Sequence, residues 1–302
     1  MAPSRFLQEL ERRVLLCDGA MGTQLIARGL RSGECSVLWN VDRRDDVLDV
    51  HRAYRSAGCD LITTNTFSGS PSMLARHGIE ELTLELNTQG AALAREAVGP
   101  AGFVLGDVGP FGDFVEPIGD TSVEQAQEIF SMQVKGLLRG GCDAILVETM
   151  SDPAEVEVAV AAARAAGAPA VIATYAFQKS ADGSFRTMMG TDVADSLRHA
   201  LAAGADVVGA NCGTSLSLAD YLALAHQLVA GANGAPVAIQ PNAGSPRVEG
   251  DRSIYDATPE DMARLVPALA AAGARIIGGC CGTTPEHLKA MAGALPTARL
   301  AH

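Results

Sequence analysis

The sequence predicts a single closed (β/α)8 barrel, and three observations carry that prediction. An apolar run followed by a longer amphipathic segment recurs eight times along the 302 residues. Polar residues do not alternate through these runs, the pattern of parallel strands buried on both faces. No linker, low-complexity tract or composition shift divides the chain, and its length suits one barrel, which takes roughly 250 residues or more. We therefore read residues 1–302 as one barrel domain. An open doubly wound sheet would want Gly-x-Gly-x-x-Gly after its first strand, and Asp18-Gly19-Ala20-Met21-Gly22-Thr23 does not supply it.

The strands are expected in the apolar runs at residues 15–21, 61–67, 103–110, 144–150, 170–177, 207–213, 237–244 and 275–282. Each run carries Gly, Asn, Thr, Asp or Cys near its end, before the next amphipathic segment. Among those segments, 123–139, 153–166 and 259–272 read as helices, the last two with Pro near the first turn, where its missing N–H costs nothing. Ala57-Gly58-Cys59-Asp60, Gly140-Gly141-Cys142-Asp143 and Ala203-Gly204-Ala205-Asp206 supply glycines suited to left-handed helix ends ahead of the next strand. The longer insertions, at about 28–46 and 244–259, both fall on the strand C-terminal face, where barrel enzymes build their sites.

A formal net charge of -12 argues against a nucleic-acid groove or an anionic membrane surface, since both need clustered Lys and Arg. No apolar stretch approaches the roughly 20 residues of a membrane span. The start, Met-Ala-Pro-Ser-Arg-Phe, lacks a signal-peptide core, so a cytoplasmic setting with reduced thiols is expected. Seven cysteines without regular spacing do not read as a disulfide framework and point to metal binding or catalysis.

Gly278-Gly279-Cys280-Cys281-Gly282-Thr283-Thr284-Pro285 ends the eighth strand and is the sharpest chemical signal. Adjacent cysteines pair poorly with each other, but glycines on either side let both turn toward one soft metal. Cys212, in Ala210-Asn211-Cys212-Gly213, ends the sixth strand, a near neighbour across the mouth. Three thiolates meeting there would hold Zn2+ with a fourth position open, the mark of a catalytic site. An electron-rich centre of that kind suits binding and deprotonating a substrate thiol, so the chemistry implied is S-alkylation. Cys17, Cys35, Cys59 and Cys142 read instead as packing residues.

None of His51, His77, His199, His226, His287 and His302 ends a strand, which disfavours a histidine nucleophile or mixed metal site at the mouth. Carboxylates do end strands. Asp18 and Glu148 are candidates for a substrate ammonium, and Asp107 is a weaker one; the competing role is a buried acid bracing loops. Asn65 and Asn242 end the second and seventh strands, where an amide can bond substrate, approach the metal or hold a turn.

These motifs, with Thr64-Asn65-Thr66-Phe67, Gly106-Asp107-Val108-Gly109-Pro110, Glu148-Thr149 and Pro241-Asn242-Ala243-Gly244, resemble the homocysteine S-methyltransferases along essentially the whole chain. That family includes betaine–homocysteine methyltransferase and the homocysteine-binding module of cobalamin-dependent methionine synthase. The resemblance implies a zinc-dependent transfer of a methyl group to homocysteine, giving methionine, on a (β/α)8 barrel. It makes Cys212, Cys280 and Cys281 the Zn2+ ligands, with Asn242 as a weak resting ligand, and gives Asp18 and Glu148 the amino group of homocysteine. The backbone from Gly19 onward would take its carboxylate.

For the methyl donor, Leu38-Trp39-Asn40, Glu148-Thr149-Met150-Ser151 and Arg186-Thr187-Met188-Met189-Gly190 look most like bacterial enzymes assigned to glycine betaine. Trp39 would then face the donor's quaternary ammonium, an attraction on the order of 0.5–2 kcal/mol, unless it anchors its loop on the rim. Three features depart from the animal betaine enzymes. Thr149 stands where they carry tyrosine after the acid, no tyrosine stands near Thr66-Phe67-Ser68, and their long C-terminal oligomerisation arm has no counterpart, which weakens the case for their tetramer. S-methylmethionine, or a methyl-corrinoid protein supplied in trans, is the alternative donor. Two other readings are weighed: a Schiff-base lyase, poorly served by Lys135, Lys179 and Lys289, and a zinc-binding or redox-sensing barrel that turns nothing over.

Overall fold

The computed structural model describes residues 4–249 and 252–296. Eight parallel strands form the barrel: β1 (Leu15–Leu16), β2 (Leu61–Thr63), β3 (Phe103–Val108), β4 (Ala144–Met150), β5 (Val171–Tyr175), β6 (Val207–Asn211), β7 (Val237–Gln240) and β8 (Ala274–Ile277). They are hydrogen-bonded in chain order from β2 to β8, and β8 pairs in turn with β1. A bridge between Cys17 and Leu61 closes the ring, with Asp18 N–H donating to Leu61 O at 3.1 Å.

Helices cover the outside of the sheet. Val123–Arg139 and Pro259–Ala272 have the expected bounds, and Pro153–Ala165 ends one residue early. Each starts at a side chain that accepts from the first turn (Ser122, Asp152, Thr258), which satisfies backbone donors otherwise left open. Among the described residues no helix is long and apolar enough to cross a membrane.

Two cores result. The larger fills the layer between sheet and helices, as in Ile62, Val104, Val147 and Val208. The smaller lines the barrel axis: Leu15, Cys17, Leu61, Phe103, Leu105, Ala144, Leu146, Ala170, Ile172, Val207, Ala238 and Ile276. Helix Arg5–Arg12, which the sequence reading did not anticipate, closes the bottom by inserting Phe6 and Leu10 into this inner cluster. Phe6 meets Phe103 edge-on at 5.6 Å.

Most strands are shorter than the apolar runs. Residues 18–21, 64–67, 241–244 and 278–282 leave the ladder and run as irregular loops over the mouth, because their backbones must turn. Gly213, Gly244 and Gly282 have φ of 96°, 84° and 80°. Two hairpins were also not anticipated, Phe177–Lys179 with Phe185–Thr187 and Arg247–Glu249 with Arg252–Ile254.

Candidate metal and substrate site

Side chains along a strand repeat every two residues on one face. Continued upward from the inner cluster, that period passes from Leu61 to Thr63, Leu105 to Asp107, Leu146 to Glu148, Ile172 to Thr174, Ala238 to Gln240 and, through Gly209, from Val207 to Asn211. The interior therefore changes from apolar to polar just below the mouth. Above it lies a cavity of about 290 Å3 lined by Asp18, Thr63, Asp107, Glu148, Cys212, Cys280 and Cys281. Met21, Thr23, Ser36, Asn65 and Phe67 also line it.

The three cysteines expected as ligands converge there. Their sulfurs lie within 4.8 Å of one another, and Cys212 Sγ is 3.9 Å from Cys281 Sγ. Thiolates about 2.3 Å from a common tetrahedral ion stand roughly 3.8 Å apart, close to the Cys212–Cys281 spacing. Backbone bonds fix each one. Cys212 N–H donates to Gln240 O at 3.2 Å, Cys280 N–H to Pro241 O at 2.8 Å, and Cys281 O accepts from Ala243 N–H at 3.0 Å. The Tyr221 hydroxyl donates to Cys212 O. Hydrogen bonds from Cys212 and Cys280 bring the Cys281 thiol down to about 3. Cys212 is relieved by its bond to Cys280 yet pushed up to about 11 by its bond to Cys281 and by burial, and Cys280 is pushed well up by its bonds to both neighbours. A dication bound there would draw off the remaining thiol protons.

The acids sit beside the sulfurs. Asp18 is buried, and Thr63 occupies both its oxygens, through N–H at 2.9 Å and Oγ1 at 2.8 Å. Burial, opposed by those bonds, raises its carboxyl to about 7. Glu148 is raised to about 7 by burial, opposed by a hydrogen bond with Asp107. Asp107 is pushed well up by burial and then by the Glu148 charge, so it is the neutral member of the pair. The cavity wall carries no Lys, Arg or His, which leaves an acidic chamber suited to a cation.

Gly19 lies where the first loop crosses the cysteine loop. A Cβ there would stand 2.4 Å from Thr283 Oγ1 and 2.8 Å from Leu288, and Ala20 N–H donates to the same hydroxyl at 3.1 Å. Asn242 is buried behind the cluster and not in the cavity wall. Its Nδ2 donates to Gly213 O at 3.2 Å and bonds the Cys212 sulfur, while Oδ1 has no partner among the described residues.

Trp39 is not brought to the cavity. It lies in helix Trp39–Asp42, is 7% exposed within the outer core, and carries the Arg43 guanidinium 4.4 Å over its ring. Packing decides its place: the neighbouring Asn40 must point inward to exchange hydrogen bonds with Asn65, which buries the turn. The aromatic ring in the wall is Phe67, unassigned by sequence reasoning though its Asn65-Thr66-Phe67 motif was noticed. It lies against Gly109, where any Cβ would meet the ring at 2.7 Å. Thr63 and Asn211 were likewise missed as partners of the acids.

Fold and site define a (β/α)8 barrel with a thiol cluster and adjacent acids at its catalytic mouth. The sequence matches the homocysteine S-methyltransferase family profile over residues 15–295, and the chain belongs to that family. It is similar to the methionine synthases of Mycobacterium tuberculosis and Mycobacterium leprae, at 33% and 32% identity over 96% of this chain. The chain spans 25% of the length of those relatives. Among solved structures it is similar to the metallated form of the homocysteine methyltransferase MmuM of Escherichia coli, with a TM-score of 0.76 and 25% identity over 96% of this chain and 98% of that one. The oxidized form of the same enzyme matches with a TM-score of 0.72 at 28% identity, over 93% and 95% of the two chains.

Proposed function

We propose that this chain transfers a methyl group from a small cationic donor, glycine betaine first among them, to the thiol of L-homocysteine. One observation carries the reading: three sulfurs within 4.8 Å share a cavity of about 290 Å3 with Asp18 and Glu148, so a soft metal and an ammonium site stand one small amino thiol apart. Cys212, Cys280 and Cys281 would hold Zn2+. When bound, it supplies an open position at which the substrate thiol loses its proton near neutral pH.

The chain's own groups do the rest. Glu148 and Asp18 take the substrate ammonium, and the backbone from Gly19 through Gly22 faces its carboxylate. The substrate sulfur, its proton passed to solvent, would attack the donor methyl in line. An S–C bond forms, and the bond from that carbon to the donor nitrogen or sulfur breaks with its electron pair, leaving a neutral amine or sulfide. Holding both partners in one chamber supplies much of the rate. Its acid-rich wall favours a positively charged donor on the Phe67 side. With Trp39 turned into the core, any cation–π contact falls to Phe67.

The test is mass spectrometry of methionine formed by zinc-loaded protein from homocysteine and betaine carrying deuterated methyl groups. Labelled methionine supports both donor and acceptor. Label from S-methylmethionine alone moves the donor and keeps the acceptor. Bound homocysteine with no product from either leaves a corrinoid protein as the donor to assay. No binding of homocysteine to the zinc-loaded protein sinks the reading.

A further inference from the structure

We propose that Asn211 is the positioning residue that locks the ammonium-binding acid to the thiol cluster, so that one amide sets the spacing the substrate must match. The inference rests on the proposed function above. Asn211 is 1% exposed and ends β6, one residue before Cys212. Its Oδ1 accepts from Thr149 N–H at 2.9 Å and from Thr174 Oγ1 at 2.8 Å. Its Nδ2 lies 2.6 Å from Thr149 Oγ1, 3.3 Å from Glu148 Oε2 and 3.8 Å from Cys280 Sγ. Two amide hydrogens are thus spread over an acid from β4, the hydroxyl beside it and a sulfur from the loop after β8.

The backbone it grips is unusual. Between Val147 and Met150, β4 advances three residues while its partner β5 advances two, from Ala173 to Tyr175. The extra residue bulges at Glu148-Thr149, and Thr149 stands at φ 60°, where a β-branched side chain is strained. Such a conformation persists only if its surroundings over-determine it. Asn211 does so, bonding both the N–H and the hydroxyl of Thr149. The same amide also reaches Glu148 Oε2, which the two-residue period of β4 already turns toward the cavity. Cys212, next in the chain, is also left-handed at φ 54°, so the Asn211 backbone and side chain govern an acid on one side and a thiol on the other.

The amino group and sulfur of homocysteine are joined by three carbons, which confines their separation. Asn211 fixes the matching separation in the protein. It touches neither reacting atom; its part is to make amino-acid recognition and sulfur capture happen together.

The experiment compares two thiols, L-homocysteine and 1-propanethiol, which lacks the ammonium and carboxylate. Binding to zinc-loaded wild type, Asn211→Ala and Thr174→Val is measured by titration calorimetry. Cobalt-substituted samples report sulfur capture by their thiolate charge-transfer band. For Asn211→Ala, homocysteine should weaken about 10- to 100-fold, as for other residues that orient ligands from behind, while propanethiol shifts by less than about threefold. Thr174→Val removes one of the two bonds to Asn211 Oδ1 and should lower the same ratio by about threefold. It carries the test alone if Asn211→Ala does not fold. Equal losses for both thiols, or none for either, overturn the inference. A wild type that binds propanethiol as tightly as homocysteine instead overturns the functional reading beneath it.

Discussion

Glu148→Gln removes a charge while keeping a carbonyl for Asn211 Nδ2, which now bonds the acid at 3.3 Å, so the strained Thr149 turn should survive the change. The wild-type carboxyl lies at about 7 because burial disfavours its charge. Its ionised fraction therefore climbs from roughly 0.1 at pH 6 to roughly 0.9 at pH 8. A ligand ammonium prefers the ionised form, so Glu148 alone should raise affinity about tenfold across that interval. L-methionine is the probe: it carries the ammonium but no thiol proton to confuse the slope. A hydrogen bond to a charged group contributes about 1.5–3 kcal/mol, which places the loss in Glu148→Gln at about 10- to 150-fold at pH 8. Calorimetric titration at pH 6, 7 and 8 would show it. The slope that remains belongs to Asp18, also near 7, and should vanish when Asp18→Asn is added. Methionine affinity within about threefold of wild type, with the slope intact, would refute the assignment of the ammonium to Glu148.

Serine in place of Cys212, Cys280 or Cys281 should leave purified protein with less than stoichiometric zinc by metal analysis and cut methyl transfer at least about 100-fold, since each sulfur is one corner of a three-thiol cluster. Trp39→Ala should cost about 3–5 kcal/mol in denaturant unfolding while leaving the donor KM of the folded enzyme unchanged, because the ring is core. Phe67→Ala should do the reverse, raising donor KM several-fold with little loss of stability, since Phe67 is 38% exposed in the cavity wall. Glu155, buried and accepting from Phe111 N–H at 2.8 Å, is raised to about 7 by burial. Its folded value exceeds the unfolded one, so its charge opposes folding only as pH rises from about 4.5 through 7. Glu155→Gln should therefore match wild type near pH 4.5 and exceed it by up to about 3 kcal/mol above pH 8. Urea titrations at the two pH values would check that sign.

The barrel was legible because its signals are local and repeated. Short apolar runs such as Ala-Ile-Leu-Val at 144–147, each followed by a longer amphipathic segment, read as buried strands, and Pro153 and Pro259 mark helix starts by lacking a donor. The thiol cluster was legible for a different reason. Gly278-Gly279 and Gly282 around Cys280-Cys281 announce a backbone that bends where thiols are placed, and parallel topology brings strands six and eight to either side of the seventh. What stayed hidden depends on tertiary choice. Nothing in Leu38-Trp39-Asn40 says whether the indole joins the core or the cavity wall; the turn is buried by the bonds between Asn40 and Asn65, twenty-five residues on. Helix Arg5–Arg12 reads as a charged stretch until the open barrel bottom gives Phe6 and Leu10 somewhere to go.

The acids show the limit most clearly. In an antiparallel sheet with one wet face, alternation reveals which residues point inward. Strands buried on both faces give no such cue, so Asp107, Glu148 and Asn211 look alike as polar endings of apolar runs. Only the parity set by the inner cluster, Leu105 to Asp107 and Leu146 to Glu148, aims those acids at the axis. The bulge in β4 then breaks that parity just beyond Glu148, at Thr149. A left-handed threonine is the local cost, and a buried asparagine two strands away in the sheet meets it. The strained turn thus ties Glu148 to the sulfurs through one amide, a coupling that no local reading of β4 could supply.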